Sequence, residues 1–312
     1  MKRQQGSVIL HSLLLFLILG VLIFPIFPMV LSGMVSNDVA RSLVFTGSPP
    51  VSSGKPIFQK GMSYTAWSRN AYNSSDSDES LALLADTNTE WVAICVFWYQ
   101  TNILSHDIHA EPERTPTNES VAHAISRAHS LGLKVMLKPM VDPLEGEETR
   151  LWPPWRGEIP PSPEWFESYS KFINFFAEFA EQNDVDLFCV GCEFKETTLE
   201  KQQWENIVSG VRERYSGPIT YAADWSEFQN IEWWDSLDYV GIDAYFPLSL
   251  LEYDPTFEEL KRAWSRYAME IETWHSTVDK PIIFTEIGYR SGNGANMAPG
   301  NYWVKLLSLI HI

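Results

Sequence analysis

The sequence predicts an α/β protein, a (β/α)8 TIM barrel that is truncated at its C-terminal end after the seventh strand and preceded by an N-terminal transmembrane helix. Two observations predict the barrel. Seven short and nearly continuous apolar runs alternate with amphipathic stretches, which is the pattern of parallel strands buried on both faces and joined by helices. None of these runs leads into a glycine-rich dinucleotide-binding turn, so a barrel is favoured over an open, doubly wound sheet.

The composition excludes several classes of protein. The 312 residues carry 23 Lys+Arg against 40 Asp+Glu, and the formal net charge of −17 argues against a nucleic-acid ligand, which needs clustered basic residues. A hydrophobic content of 45% with 20% charged residues excludes intrinsic disorder, and three cysteines are too few for a disulfide framework. The 13 tryptophans are the least ordinary feature, because flat aromatic faces suit sugars among other ligands.

A basic N-terminus precedes the long apolar run 8–35. This run is long enough to span a membrane, which takes about 20 residues, whereas the core of a signal peptide usually has about 7–15. We therefore predict that residues 1–35 are a signal anchor, with a single-pass protein in the cell membrane and its main domain outside the cytoplasm. The alternative is a long, cleaved signal peptide and a secreted protein. Residues 36–59, rich in Ser, Pro and Gly, are predicted to be a linker, and the barrel domain is assigned to 60–306.

Strands and helices are predicted to alternate along this domain. The predicted strands are Gly61–Ala66, Trp91–Tyr99, Lys134–Val141, Leu187–Phe194, Ile219–Ala223, Tyr239–Tyr245 and Pro281–Tyr289. The predicted helices, in which apolar residues recur three and four apart, are Glu119–Ser130, Glu164–Glu181, Thr198–Tyr215 and Phe257–His275. Thr117 or Asn118 is placed to cap the first of these helices, and Gly132 to end it.

In a (β/α)8 barrel the functional residues lie at the carboxyl ends of the strands. In this sequence, polar and aromatic residues gather where the apolar runs finish. The strand-end residues predicted to bind substrate are Trp67, Trp98, Lys138, Asp142, Asp224, Trp225, Asp243 and Tyr245. For Asp142 and Asp243 the alternative is that they orient Lys138 and the strand ends.

Two glutamates also stand at strand ends, Glu193 on the fourth strand and Glu286 on the seventh. Retaining glycoside hydrolysis needs one carboxyl group as acid/base and a second as nucleophile, about 5–5.5 Å apart, and opposite sides of a barrel mouth can supply that span. Their environments must differ so that one carboxyl stays protonated. Tyr245, on the neighbouring strand, is placed to hydrogen-bond Glu286 and keep it ionised. The alternative for each glutamate alone is an ion pair in a loop.

Eight short motifs, in this order and spacing, carry a resemblance to a known family. They are Lys60-Gly61-Met62-Ser63-Tyr64, Trp98-Tyr99-Gln100, Leu137-Lys138-Pro139 with Val141-Asp142, Trp155-Arg156-Gly157, Gly191-Cys192-Glu193, Thr220-Tyr221-Ala222-Ala223, Gly241-Ile242-Asp243-Ala244-Tyr245 and Phe284-Thr285-Glu286-Ile287-Gly288-Tyr289. With them the domain resembles glycoside hydrolase family 113 of clan A, whose characterised members are endo-β-1,4-mannanases.

The resemblance implies a TIM barrel in which Glu193 is the acid/base and Glu286 the nucleophile of a retaining mechanism that uses no cofactor and no metal. Two positions depart from the family pattern. Met140 stands where the family usually has His, and Asp224 stands where Asn is common. Both departures leave the catalytic pair intact.

Three further features are open to two interpretations. Trp155 and Arg156, in the loop after the third strand, are predicted to stack on a sugar ring and to donate to its hydroxyls, while the alternative is a proline-stiffened lid packed on the barrel. The pair His106 and His109 has no third ligand at a suitable spacing, so we predict a solvated loop rather than a metal site. The spacing Cys189-Val-Gly-Cys192 puts the two thiols on opposite faces of a strand, which favours buried thiols over a redox site.

These observations favour a membrane-anchored retaining glycoside hydrolase that cleaves a β-linked polysaccharide, β-1,4-mannan first among them. Its predicted partners are polysaccharide or oligosaccharide substrates and, through the anchor, the membrane, with no nucleic acid. The alternative is a non-catalytic carbohydrate-binding relative at the cell surface.

The spacing of the strands predicts that the barrel is incomplete. Between the strand starts at residues 61 and 281 each βα unit averages about 37 residues, so an eighth strand is expected near residue 318, beyond the last residue of the 312. We therefore expect the chain to be truncated. Residues 307–312, Leu-Ser-Leu-Ile-His-Ile, are the translation of a transposase-end sequence used in DNA library preparation. We expect them to be a non-native, adapter-encoded tail.

Overall fold

Seven parallel strands form one sheet, and their order in the sheet is their order along the chain. They are β1 (Gly61–Thr65), β2 (Trp91–Gln100), β3 (Lys134–Pro143), β4 (Leu187–Cys192), β5 (Ile219–Asp224), β6 (Tyr239–Asp243) and β7 (Ile282–Glu286). All seven predicted strands are confirmed, although several of them end earlier or later than predicted. In the part of the chain that the structure describes, β1 and β7 pair with only one neighbour each, so the sheet is a curled seven-stranded part of a (β/α) barrel and not a closed eight-stranded one.

The computed structural model describes residues 58–144, 154–249, 254–292 and 294–300. The predicted anchor, nearly all of the predicted linker and the predicted adapter-encoded tail lie outside these residues. Among the described residues, none of the helices has the length and apolar character needed to cross a membrane. The anchor therefore stays a prediction from the sequence.

Among the residues that the structure describes, five α-helices lie between the strands. They are α1 (Ser75–Asp86), α2 (Asn118–Ser130), α3 (Pro163–Gln182), α4 (Lys201–Arg212) and α5 (Phe257–His275). The last four were predicted. The first was not, because only Ser77 and Leu81 are buried along it and its apolar stripe is therefore thin. Instead of a helix, two 3-10 turns, Phe228–Asn230 and Trp234–Ser236, connect β5 to β6.

The helix starts follow from local chemistry. The side chain of Thr117 accepts a hydrogen bond from the backbone N–H of Ser120, which identifies Thr117 as the cap of α2. Thr256 and Glu259 bond each other's backbone N–H groups in a capping box that begins α5. These caps satisfy donors that the first helical turn leaves without an intrahelical partner.

Side chains on the strands face either the helices or the interior of the sheet. On β2, the side chains of Cys95, Phe97 and Tyr99 face the interior of the curled sheet, where they belong to a group of buried residues called here the interior cluster. The side chains between them pack towards the helices. Cys189 and Cys192 both belong to the interior cluster, which contradicts the prediction that they face opposite sides. The cause is a shift in the β4–β5 register between these two residues, which breaks the regular alternation.

Candidate active site

A buried lysine lies at the centre of the candidate site. The ammonium of Lys138, from β3, donates to both oxygens of Asp243 at 3.1 Å and to Glu286 Oε1 at 2.5 Å, so the sheet curls far enough for β3 to reach β6 and β7. Burial opposes the charged form, but the neighbouring carboxylates, Asp243 first, raise the pKa of Lys138 above its ordinary value. Asp243 also accepts a hydrogen bond from Thr285 Oγ1 at 2.7 Å. Asp243 is fully buried, and of its two predicted roles the structure shows the orientation of Lys138.

Glu286 ends β7 with its carboxyl held from two sides. One oxygen accepts from Lys138, and the other accepts from Tyr245 Oη at 2.7 Å, in the arrangement predicted for Tyr245. Although burial opposes ionisation, the Lys138 ammonium and the Tyr245 hydroxyl hold the pKa of Glu286 below its ordinary value. The side chain keeps 18% of its surface exposed. The surroundings of Glu286 therefore favour its ionised form, and part of the side chain is accessible to solvent.

Glu193 follows β4 directly and has the opposite protonation. Its φ of 55° is in the left-handed region, which is uncommon for a residue with a side chain. Its carboxyl is half-buried and accepts a hydrogen bond from Trp155 Nε1 at 3.2 Å. Burial, followed by the charges of Asp243 and Glu286, raises the pKa of Glu193 to about 8, even though Arg156 opposes the shift. The surroundings of Glu193 therefore favour its protonated form.

The two glutamates thus differ as general acid and nucleophile must differ. One carboxyl keeps its proton because it lies in a desolvated position beside other carboxylates, and the other keeps its charge because a buried ammonium and a phenol hold it. In such a pair, one carboxyl group can protonate a leaving group while the other attacks the neighbouring carbon atom.

Arg156 forms part of the wall of the site. Its Nε and Nη2 donate to Asp142 Oδ1 at 2.9 and 2.6 Å, and its Nη1 donates to Cys192 Sγ at 3.2 Å. With its guanidinium buried and engaged in this way, Arg156 fits the alternative of a segment packed on the barrel. Trp155 lies against Gly157, where an added Cβ would come within 2.4 Å of the indole ring, so only glycine leaves room for the ring that reaches Glu193.

The remaining strand-end candidates lie around this centre. Trp67 is 61% exposed, and its ring lies 5.8 Å from that of the interior-facing Phe97, so it presents a free aromatic face beyond β1. Trp225 is half-buried, with its ring edge-on to Phe246 at 6.0 Å. Asp224 Oδ1 accepts bonds from Ser226 and closes the turn after β5.

Trp98 lies on the helix-facing side of β2, away from the other candidates. Its ring packs against Phe172, Phe175 and Phe176 of α3, with ring centroids 5.4, 5.9 and 5.7 Å away. The structure therefore does not bring Trp98 to the site, and its predicted contact with substrate has no support from this packing. The physical reason is the alternation of β2, which turns its even-numbered side chains outward.

Tyr99 is the residue that sequence reasoning missed. Its ring faces the interior beside Asp142, and its hydroxyl has no hydrogen-bond partner among the described residues. Burial and then Asp142 raise the pKa of Tyr99 to about 12, so the hydroxyl stays a neutral donor. No local signal in the sequence identified it, because the interior position of Cys95, four residues earlier on the same face, is known only from the structure.

One group of side chains in the described part of the chain is arranged as a metal could need, namely Cys192, Asp243 and Glu286. The Lys138 ammonium already lies within hydrogen-bond distance of both carboxylates in this group, so a cation supplied by the chain itself holds them together. The two histidines considered in the sequence have other partners, because His109 pairs with Glu111 at 2.9 Å and His106 lies 3.3 Å from Ser162 Oγ.

Comparison with known proteins gives a family match and similar solved structures. Residues 62–307 match the family model described as Glycoside Hydrolase Family 113. A solved structure of a GH113 β-1,4-mannanase is 28% identical, with a TM-score of 0.69, and the alignment covers 79% of this chain and 77% of that one. The GH113 β-mannanase AaManA from Alicyclobacillus acidocaldarius, in complex with ManMIm, is 26% identical with a TM-score of 0.69 over 79% of this chain and 76% of that one. No curated protein matches the chain.

Proposed function

The chain belongs to glycoside hydrolase family 113 and is a glycosidase, and from that premise we propose that it cleaves β-1,4-mannan or a related β-linked polysaccharide with retention of configuration. In this proposal Glu193 is the acid/base and Glu286 the nucleophile. The observation that carries it is the different surroundings of the two strand-end carboxyls, since Lys138 and Tyr245 donate to Glu286 and lower its pKa, whereas Glu193 accepts from Trp155 and burial raises its pKa. The non-catalytic alternative rests on the departures from the family pattern at Met140 and Asp224, which leave both glutamates in place.

The proposed reaction has two steps. In the first, a carboxylate oxygen of Glu286 bonds to the anomeric carbon while the glycosidic bond breaks, and the departing oxygen takes the proton of Glu193. In the second, Glu193 takes a proton from water, the water oxygen bonds to the anomeric carbon, and the Glu286 carboxylate is released. Lys138 and Tyr245 hold Glu286 in place through both steps, because each is bonded to a different oxygen of its carboxyl.

The proposed sugar contacts follow from the free polar and aromatic groups around the pair. Asp142 uses Oδ1 for Arg156, which leaves Oδ2 for a sugar hydroxyl, and Tyr99 is the residue opposite Asp142 on the neighbouring strand. Trp67 offers an exposed face for stacking, and Trp155 is joined to the acid/base by its indole N–H. Flat aromatic faces with a few directed polar groups are usual in ligand clefts.

The proposal is tested by incubating the full chain with β-1,4-manno-oligosaccharides and following the products by proton NMR. We expect hydrolysis, with the β-anomer of the new reducing end formed first and the α-anomer appearing only by slow mutarotation. If the α-anomer formed first, the mechanism would be inverting. Turnover of cello-oligosaccharides but not of manno-oligosaccharides would contradict the substrate class.

The two pKa shifts also set an expected pH dependence. Activity requires a protonated Glu193 and an ionised Glu286, so kcat/KM is expected to fall as the pH rises through about 8 and as it falls below the ordinary carboxyl value of 4.5. The measurement is a pH profile of kcat/KM on a manno-oligosaccharide. The same profile for Glu193→Gln, with a substrate whose leaving group needs no proton, is expected to lack the basic limb; a basic limb that persists there would assign it to another group.

A further inference from the structure

The backbone at the acid/base is held in an unusual conformation by a side chain of the next strand. Glu193 has a φ of 55°, and its own N–H donates to the carbonyl of Ala222 at 2.8 Å. The following N–H, that of Phe194, donates to Tyr221 Oη at 2.7 Å. Since left-handed backbone is unfavourable for a residue with a Cβ, it persists only where its surroundings fix it. These two bonds fix the peptide groups on both sides of Glu193.

Tyr221 is itself tightly packed. It is fully buried, and its ring lies 5.3 Å from Trp204 and 5.2 Å from Trp233. Gly191 lets it approach β4, because a Cβ at that position would come within 2.9 Å of the Tyr221 and Trp204 rings. The hydroxyl that binds the Phe194 N–H is therefore set by packing and not by local flexibility.

Glu227 accepts a hydrogen bond from the Tyr221 hydroxyl. It is 1% exposed, and its Oε1 accepts bonds from Tyr221 Oη at 3.2 Å and from the backbone N–H of Asp224 at 2.9 Å. Its other oxygen is buried without a hydrogen-bond partner among the described residues. Burial of a carboxyl oxygen without a hydrogen-bond partner costs free energy. The hydrogen bonds that the other oxygen makes offset this cost. By accepting from the Tyr221 hydroxyl, Glu227 turns the oxygen lone pairs towards Phe194.

We propose that Tyr221 and Glu227 are positioning residues for the acid/base, holding the peptide after Glu193 so that its carboxyl points at the cleft. This inference rests on the proposed role of Glu193. Neither side chain contacts the reacting atoms. Their effect is confined to proton transfer, because Glu286 is held separately by Lys138 and Tyr245.

Leaving-group dependence separates this role from a structural one. A dinitrophenyl β-mannobioside loses a stable phenolate and needs little acid catalysis in its first step, whereas a phenyl β-mannobioside needs it fully. For Tyr221→Phe we expect kcat/KM for the phenyl substrate to fall by about tenfold or more, and kcat/KM for the dinitrophenyl substrate to stay within about twofold. Glu227→Gln keeps an acceptor oxygen and is expected to behave almost as the wild type, whereas Glu227→Leu is expected to follow Tyr221→Phe.

Tyr169→Phe is the matched control. Tyr169 is a buried tyrosine that, like Tyr221, packs against Trp204, and its ring centroid lies 5.0 Å from that of Phe194. Its hydroxyl, however, donates to the carbonyl of Val190 and does not bond the backbone beside Glu193. Tyr169→Phe is expected to lower kcat/KM for both substrates by the same factor, or to leave both values unchanged. The proposal is overturned if Tyr221→Phe changes kcat/KM for both substrates by the same factor, or changes neither value.

Two further outcomes are distinguishable. If Tyr221→Phe does not fold, Glu227→Leu and Glu227→Gln measured in the same way decide the matter, since equal leaving-group dependence in these two variants contradicts positioning through the acceptor oxygen. If Glu193→Ala itself shows no leaving-group dependence, the proposed role of Glu193 fails, and the positioning inference is overturned with it.

Discussion

Replacing Glu286 with alanine is expected to reduce kcat on manno-oligosaccharides by about 10⁵-fold or more, the scale of loss when a covalent nucleophile is removed. Alanine has no atom that can bond to the anomeric carbon, so the first step has no route. The fold is expected to survive, because Lys138 keeps its bonds to both oxygens of Asp243. Kinetics and the melting temperature of the purified variant measure the two effects.

Azide identifies which carboxyl has which role. In Glu286→Ala, azide can attack the anomeric carbon directly and is expected to yield an α-mannosyl azide from a dinitrophenyl substrate. In Glu193→Ala, azide is expected to intercept the glycosyl-enzyme and yield the β-mannosyl azide. Glu258→Ala, on the exposed first turn of α5, is the control for loss of a carboxylate and is expected to retain full activity. Exchange of the two azide products would reverse the assigned roles.

Lys138→Met is expected to have the largest effect on stability, about 3–5 kcal/mol of unfolding free energy, because it leaves buried carboxylates without their cation. With Asp243 and Glu286 side by side, the pKa of Glu286 is expected to rise, since the group that lowers it is gone. The acid limb of the pH profile should therefore move to higher pH, and kcat should fall at neutral pH. Thermal melts and kinetics across pH measure both.

The sign of the pH effect on stability also reverses in this variant. In the wild type the lowered pKa of Glu286 contributes stability that is present above the ordinary carboxyl pKa of 4.5 and lost as the pH falls through the lower folded value. With a raised pKa, the protonated form is favoured in the folded state, so the variant should gain stability relative to wild type on acidification.

Lys134→Met is the matched control for Lys138→Met. Lys134 begins the same strand but is exposed, and it lies 5.3 Å from the centre of the Trp91 ring. Its loss is expected to cost about 1 kcal/mol or less. If Lys138→Met had the same melting temperature as Lys134→Met, and if the acid limb of its pH profile did not move, Lys138 would not set the charge of Glu286.

Features that are local in sequence were predictable here. The strand starts, the cap of α2 and the two glutamates at strand ends follow from runs of residues that act on their own backbone. Glu286 and Tyr245 were predictable as a pair because β6 and β7 are neighbours in any sequential parallel sheet. The predicted hydrogen bond between them is observed at 2.7 Å.

Features that depend on the phase of a strand or on distant packing were not predictable. Trp98 and Tyr99 are adjacent, and only the alternation along β2 decides which of them faces the interior. The register shift in β4 puts Cys189 and Cys192 on one side, and nothing in the local sequence marks it. The hydrogen bond between Phe194 and Tyr221 joins residues 27 apart, and it depends on the packing of Tyr221 against Trp204 and Trp233.

The cation that holds the two inner carboxylates is covalently part of the chain and wholly buried. Mobile ions screen exposed charges over roughly 10 Å at 0.1 M salt, but they reach a buried cluster far less. The surface of a chain with a net charge of −17 therefore responds to ionic strength, while the protonation of the inner carboxyls does not follow it. Lys138 thus makes the charge of the two inner carboxylates less dependent on the ionic strength of the medium than that of the exposed acidic residues.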